Sequence, residues 1–503
     1  MKKIIGVVCI IALLAGAGVM AYFGTEIDAW PKVRVASANL YSDHGYINYA
    51  EKVYFDVEKE PELADTGLFW ARWNADENKI ELLHADSPEG AALIDTDKPT
   101  IINVHGVLAE GNKYPELFNL NVKVHFPEDY GVEGENVSML YLWLREGWNV
   151  GVFHYNKFVA DVPNAIEGKI WSNNSPLGIK YRKKDGSESD PHFTKYCLAE
   201  HFAAEYIRAM RFLPKTMGDK EIRLTAHSMG GQLATAGLFL LTELARVGQL
   251  PHYQLPSRYA LLDAYFSIKM PLGDGFLDVG IKDVNISWSG KPLYNNSVGK
   301  TMIECLKDLK ANGIAVEYYV YESSVIKAFM ADLTADLRDV CVYVSINPDY
   351  NSINSRYTLL GDGHNGVREW YLISLLSPPI KDATEGSDSG ELAPSAALDT
   401  AVLKSFMGKA FIISEGAYTT SCDDDVMVRR YSIFYELNGG SNINCNPDHY
   451  SKLSSTITLG SPKRKEYTFL GWYRNPDFSG TKVETIDPAE KQDIKLYAKW
   501  EAK

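Results

Sequence analysis

Residues 221–234 constrain the fold of this 503-residue chain more than any other stretch. Ile222-Arg223-Leu224-Thr225 is an aliphatic and β-branched run. It leads into Ala226-His227-Ser228-Met229-Gly230-Gly231, and Gln232-Leu233-Ala234 open a helix. The pattern reads strand, sharp turn, helix. Small residues stand two before the serine and two and three after it. A turn that tight leaves no room for bulk at those points, because a side chain would strike the neighbouring strand or helix. The serine is lifted clear of the sheet at the N-terminal end of a helix, where the dipole and free N–H groups favour negative charge. The competing reading, a buried serine in an ordinary strand–helix turn, does not account for the small flanking residues.

The run resembles the G-x-S-x-G signature of α/β-hydrolases, with Ala226 in place of the first glycine. That resemblance implies a nucleophile at Ser228, followed in chain order by an acid and a histidine. Of eleven histidines, only His252, His364 and His449 follow the serine. His252 lies too close behind the elbow helix, and His449 falls in a separate C-terminal module. His364 remains, in the glycine-rich loop Leu360-Gly361-Asp362-Gly363-His364-Asn365-Gly366. The loop follows a strand expected at 340–344 and precedes a helix expected from about Val367. A histidine so placed can swing back to the serine as general base; an exposed loop histidine is the alternative.

Two carboxylates compete for the third role. Tyr259-Ala260-Leu261-Leu262-Asp263 is a buried-strand run ending in an acid. It resembles the Leu-Asp-Pro segment that supplies the acid in animal and related lipases, with Ala264 where those have proline. Glu322 ends the next expected strand, 314–321, where other α/β-hydrolases place theirs. Either could orient the imidazole and stabilise its protonated form; Asp263 is favoured because it ends an apolar strand cleanly. Thr100-Ile101-Ile102-Asn103-Val104 is strand-like, and His105-Gly106-Val107 follows at once. A His-Gly turn there resembles the hydrolase oxyanion loop and implies the backbone N–H groups of Val107 and Met229 as donors.

Strand-like segments at 100–104, 148–154, 222–226, 259–263, 314–321 and 340–344 alternate with helical ones at 139–144, 198–212, 232–247, 300–310 and 325–337. This alternation predicts an α/β fold: a mostly parallel sheet with helices on both faces. The strands are apolar nearly throughout, as expected when both sheet faces are covered. Partly alternating runs at 33–35 and 67–73 predict an antiparallel edge. The α/β-hydrolase domain is placed at 24–376. Residues 155–195 are long for a strand-to-helix connection and read as a cap or lid, or as a passive surface insertion. Residues 377–430 read as linker or connector, from Pro378-Pro379 and the polar run Glu385–Glu391, while 396–430 regain apolar content and either pack back on the hydrolase or form a connector.

Met1-Lys2-Lys3 precedes an uncharged run at 4–23 containing Ala15-Gly16-Ala17. Residues 1–23 are therefore expected to be a signal peptide, or an uncleaved anchor of about twenty residues. A net charge of −14 argues against nucleic acid as a partner. Beyond the leader the cysteine count is odd, and no metal-type spacing occurs. Cys197, Cys305 and Cys341 read as buried thiols, and Cys422 with Cys445 is the one pair to test. No metal or cofactor is expected.

The last segment, 431–503, differs in kind. Tyr431–Gly440 is an alternating strand with a Leu-Asn-Gly-Gly turn. Phe469-Leu470-Gly471-Trp472-Tyr473, Asp477-Phe478-Ser479-Gly480 and Leu496-Tyr497-Ala498-Lys499-Trp500 follow. In that order they resemble the Listeria–Bacteroides (internalin-B-type) repeat. The resemblance implies a small β-rich, β-grasp-like domain of exported, mainly Gram-positive surface proteins, with a cell-wall or surface partner. Its aromatics at strand spacing read as core rather than as a ligand platform.

Two functions stay open at this point. One is a secreted or surface serine hydrolase, a lipase or carboxylesterase cleaving a small-molecule or lipid ester; peptidase, thioesterase and acyltransferase chemistry share the same site. The other is a surface-binding or adhesion protein whose hydrolase domain is inactive. The complete serine, histidine and acid set favours the enzyme.

Overall fold

The structure is a computed structural model. It describes residues 66–107, 118–120, 124–125, 133–134, 137–155, 158, 163–173, 179–181, 187–190, 196–210, 220–246, 248, 250–267, 269–272, 275–278, 286, 293–294, 297–321, 330, 333–347, 363–381, 392–414, 425–443 and 446–503. The leader, the expected strand at 33–35, Glu322, Cys422 and Cys445 lie outside these residues.

Among the described residues one 13-stranded sheet runs through the molecule. β1 (Gly67–Asn74) and β2 (Lys79–His84) form an antiparallel hairpin at one edge. The centre holds β3 (Thr100–Val104), β4 (Asn149–His154), β5 (Ile222–His227) and β6 (Arg258–Leu262). Beyond them come β7 (Ala315–Tyr321), β8 (Val342–Asn347) and β9 (Ala410–Ser414). The C-terminal β-rich part adds β10 (Val426–Glu436), β11 (His449–Ser451), β12 (Tyr467–Tyr473) and β13 (Ile494–Ala502). The spatial order is β2-β1-β4-β3-β5-β6-β7-β8-β9-β10-β13-β12, with β11 beside β10. From β4 to β9 every neighbouring pair is parallel. β1 is antiparallel to β4, and β10 is antiparallel to β9. The sheet is therefore mixed but mostly parallel.

Strand residues alternate between two cores, as a period of two requires. Ile102, Leu224, Leu261 and Tyr318 face one core, and Ile101, Val150, Leu262 and Tyr319 face the other. The first core is covered by α2 (Pro163–Trp171), α3 (Leu198–Met210), α4 (Gly230–Arg246) and α5 (Val298–Ala311). The second is covered by α1 (Met139–Arg145) and α7 (Gly363–Ile373). Burial on both faces explains why the central strands are apolar runs rather than alternating ones.

Three expected element bounds need correction. The helix expected at 325–337 is, within the described residues, α6 (Thr334–Val340). It runs into the start of the expected 340–344 strand, so that β8 begins at Val342. The helix expected from Val367 starts earlier, at Gly363, and places His364 in its first turn. Of the two readings of 396–430, the described part follows the one in which the chain packs back. The stretch 377–430 holds α8 (Thr400–Ser405) and β9, and it sends Ala393, Ala396 and Leu398 into the second core. Of the 155–195 segment, Phe158, Ile166, Ile170, Trp171 and Ile179 are fully buried in the first core. The three described cysteines are buried and in no disulfide.

The 393–398 segment is held by a buried ion pair. Arg258 and Glu317, on adjacent strands and both fully buried, meet bidentately at 2.6 and 2.9 Å. Arg258 also donates to the carbonyls of Leu398 and Ser395, at 2.7 and 2.6 Å. Glu317 accepts from the hydroxyls of Tyr319 and Tyr371, at 2.8 and 2.7 Å. Every charge in the cluster has partners, the condition under which a buried pair is tolerated. Glu317→Ala leaves Arg258 buried and unpaired, with an expected cost of about 3–5 kcal/mol. Urea unfolding should show that loss, and the double change Arg258→Met with Glu317→Leu should lose much less.

Candidate active site

In a parallel sheet all strand C-termini reach the same edge. Here β3 and β4 lie to one side, and the chain then crosses to place β5 on the other side of β3. A crevice opens outside the strand ends where the order reverses in this way. The turn after β3 and the turn after β5 meet at that point.

Ser228 sits on the second turn with φ +54, a left-handed conformation that side chains other than glycine rarely adopt. Three backbone bonds hold it there. Its N–H donates to Leu262 O at 3.1 Å, and its carbonyl accepts from Gly231 N at 3.0 Å and Tyr265 N at 3.1 Å. The small neighbours are required sterically. A Cβ on Gly230 would lie 2.2 Å from His105 O, and one on Gly231 would lie 2.5 Å from Ala264 Cβ. One on Gly106 would lie 2.7 Å from Ser228 Cβ, so the β3 turn passes directly against the serine. Ser228 is partly exposed while its neighbours from Ile222 to His227 are buried. Behind it α4 runs 17 residues, with its N-terminus at the turn. The Met229 N–H has no backbone acceptor among the described residues.

Asp263 follows β6 directly and is the second non-glycine residue of this edge with positive φ, +42. It is fully buried. Its N–H donates to Tyr319 O at 2.7 Å, and its Oδ1 accepts from Tyr321 N at 3.2 Å. Oδ2 meets His364 Nδ1 at 2.6 Å. The opening of α7 makes that contact attainable, because Gly363 packs so closely on the Tyr321 ring that a Cβ would lie 2.6 Å from it. Non-glycine residues in such conformations cost about 1–3 kcal/mol each and cluster at functional sites. Both here are the residues singled out from the sequence as nucleophile and acid.

The histidine and the serine are linked through His227. Its buried ring lies 4.4 Å from the His364 ring, and its Nε2 donates to His364 O at 3.0 Å. Burial and the nearby His364 hold the His227 pKa well below the usual histidine value, so the ring is neutral. No hydrogen bond joins Ser228 Oγ to His364 among the described residues. Without substrate such contacts are often long and tighten only when it binds.

His105 organises the β3 turn. Its Nε2 accepts from Tyr155 N at 3.3 Å, which puts the proton on Nδ1, and Nδ1 donates to Gly106 O at 2.6 Å. Burial pushes its pKa down to about 4, so it stays neutral near pH 7. The Gly106 carbonyl and the Val107 N–H lie on opposite edges of one planar peptide. Fixing the first therefore aims the second away from the imidazole.

A further network was not legible in the sequence. Gln232, one helical turn beyond the serine, donates to Glu167 Oε1 at 2.6 Å and to Tyr265 O at 3.0 Å. Trp171 Nε1 donates to Gln232 Oε1 at 3.2 Å, and Ser267 N donates to Glu167 Oε1 at 3.0 Å. The network joins α2 to the helix behind Ser228 and to the loop after Asp263. The only sequence signal was the polar Gln232 inside an apolar helix. His227 and His105 carried the plainer signal of adjoining the turns they stabilise.

The C-terminal strands have a separate core of Ile433, Tyr450, Trp472, Ile486, Ile494, Leu496 and Ala498. Residues 431–499 match a family pattern. They are a Listeria–Bacteroides repeat domain. Trp472 and Tyr450 of the repeat are core residues, each 1% exposed. No curated protein matches the chain. No described helix is long and apolar enough to cross a membrane.

Burial pushes the Glu167 pKa up to about 7. Folding thus favours its neutral form. That contribution is complete below the unfolded value near 4.5 and is lost as pH rises through about 7. Glu167→Gln keeps the neutral bonds and should hold about 3 kcal/mol of stability near pH 8 that the parent loses. Unfolding free energies near pH 5 and pH 8 check this. Glu200, raised by burial to about 8, adds a slope of the same sign, so the variant's profile should flatten only in part. Separately, Gly230→Val should cost at least about 1–3 kcal/mol by overpacking against the His105 backbone, read as a lower melting temperature.

Proposed function

We propose that this chain is an exported serine hydrolase of the α/β-hydrolase fold, acting on small-molecule or lipid esters. The observation that carries the proposal is the pairing of two strained residues, Ser228 and Asp263, at the ends of adjacent parallel strands, with His364 hydrogen-bonded to Asp263 at 2.6 Å. Ser228 Oγ attacks the acyl carbon while His364 Nε2 takes its proton. Asp263 fixes the imidazole with Nδ1–H toward the carboxylate and stabilises the imidazolium that forms. The backbone N–H groups of Val107 and Met229 receive the oxyanion. Collapse of the tetrahedral intermediate expels the alcohol, which takes the proton from His364, and leaves an acyl-serine. Water, deprotonated by His364, then attacks the acyl carbon and releases the acid and the free serine. The repeat domain supports a cell-surface setting.

A fluorophosphonate probe should label Ser228, and Ser228→Ala should abolish the label with the fold intact. Asp263→Asn should lower kcat for p-nitrophenyl esters by about 10⁴, because the imidazole is then held in the wrong tautomer. Glu322→Gln should leave kcat near that of the parent. Loss of turnover in Glu322→Gln but not in Asp263→Asn would reassign the acid. Absence of labelling on folded protein would move the weight to surface binding through the repeat. There Phe478, Tyr497, Trp500 and Arg464 line a cleft of about 430 Å³.

A further inference from the structure

At the β1–β2 edge of the sheet, three strands away from β5, a cluster of side chains has no part in the proposed reaction. His84 ends β2, Asp86 follows it, and Glu205 reaches over from α3. His84 Nδ1 lies 2.5 Å from Asp86 Oδ1, and His84 Nε2 lies 3.4 Å from Glu205 Oε2. One donor atom from each of the three falls within 4.8 Å of the others. Glu205 is only 6% exposed. Its Oε1 is held by Arg208 Nη1 at 2.5 Å, but its Oε2 has no hydrogen-bond partner among the described residues. A buried carboxylate oxygen left without a hydrogen bond is costly, and it has room for a further partner.

Gly67, at the start of β1, leaves a space beside these atoms. With φ +130, a Cβ there would lie 2.5 Å from Glu205 Oε2 and 2.6 Å from His84 Nε2. The absence of a side chain thus keeps open a point close to both donors, at little more than the 2.0–2.2 Å of about a zinc–nitrogen or zinc–oxygen bond. The fixed Arg208 guanidinium turns the other oxygen of Glu205 toward this space.

We propose that His84, Asp86 and Glu205 form a binding site for a divalent transition-metal ion of the zinc class. One imidazole nitrogen with two carboxylate oxygens suits zinc, with water completing the shell, whereas calcium takes six to eight oxygens. The ion ties the end of β2 to α3 beside the start of β1. Its role is structural, because at about 4.8 Å per strand it sits roughly 14 Å from the strand bearing the serine.

The test uses the full chain stripped with chelator and then titrated with zinc, read by metal content after dialysis and by melting temperature. Expected is retention of about one equivalent, with a melting temperature that rises with zinc and falls again with chelator. Glu205→Gln and His84→Ala should abolish both effects, while Asp86→Cys, a ligand exchange zinc accepts, should retain them. Gly67→Ala should block binding without removing any ligand. If a ligand variant unfolds, Asp86→Cys and Gly67→Ala still decide the matter. Absence of any zinc-dependent shift in the parent would overturn the proposal and leave an imidazole held between two carboxylates without an ion. Zinc retained equally by His84→Ala and Glu205→Gln would place the ion elsewhere. A shift with calcium and none with zinc would refute the donor-set argument.

Discussion

The parallel ladder fixes where everything else can sit. Val104 pairs with Ala226, and His227 pairs with Leu262, which in turn pairs with Tyr319. Because these registers are in phase, the turns after β3, β5 and β6 leave the sheet along one line. Gly106, Ser228 and Asp263 are therefore neighbours although they lie far apart in the chain. A shift of one residue in any of the three strands would turn its core side chains to the wrong face. Burial of both faces thus enforces the alignment of the candidate site. The positive φ values of Ser228 and Asp263 are tolerated because ladder hydrogen bonds on both sides over-determine them.

Polar groups inside the sheet serve a different end. Arg258 and Glu317 pair across adjacent middle strands, and Arg258 donates on to the carbonyls of Ser395 and Leu398. The segment after α7 is thereby locked under the sheet, and β9 can extend it. Tyr371 of α7 is bound to Glu317 in the same cluster, which helps to set the helix that carries His364. The ion pair and the candidate site thus share an element.

The repeat domain is not hung from a tether. β10 pairs with β9 along its first half and with β13 along its second, so one strand belongs to both parts. Arg430, 1% exposed, donates to Ser345 on β8 and reaches Asp448 and His449 at the start of β11. Arg338 of α6 joins Ser432 and Asp448 from the same side. Burial raises the Asp448 carboxyl's pKa, but the His449 bond and the two guanidinium groups outweigh it and hold the carboxyl well below its usual range. The repeat is held to the sheet by a shared strand and a charge cluster.

By itself the sequence determined the alternation of strands and helices, the tight turn around Ser228, and the repeat at the C-terminus. These rest on local rules: periodicity, small residues at a steric bottleneck, and turn chemistry. It narrowed the candidate acid to two carboxylates and the candidate base to His364, because chain order leaves three histidines and His252 and His449 lie in the wrong parts of the chain. Only the tertiary structure placed Asp263 against His364, since that contact spans 101 residues and depends on β6 register and on Gly363 meeting Tyr321. Long-range packing likewise decided that 393–398 enters the core, that 410–414 joins the sheet and that β10 is shared. The polar, glycine-rich run before that stretch looks like linker to any local rule, and nothing nearby in the chain reveals the strand edge it will meet. The Glu167–Gln232 network and the His84–Asp86–Glu205 cluster were invisible for the same reason. Each is assembled from elements that meet only once both faces of the sheet are covered.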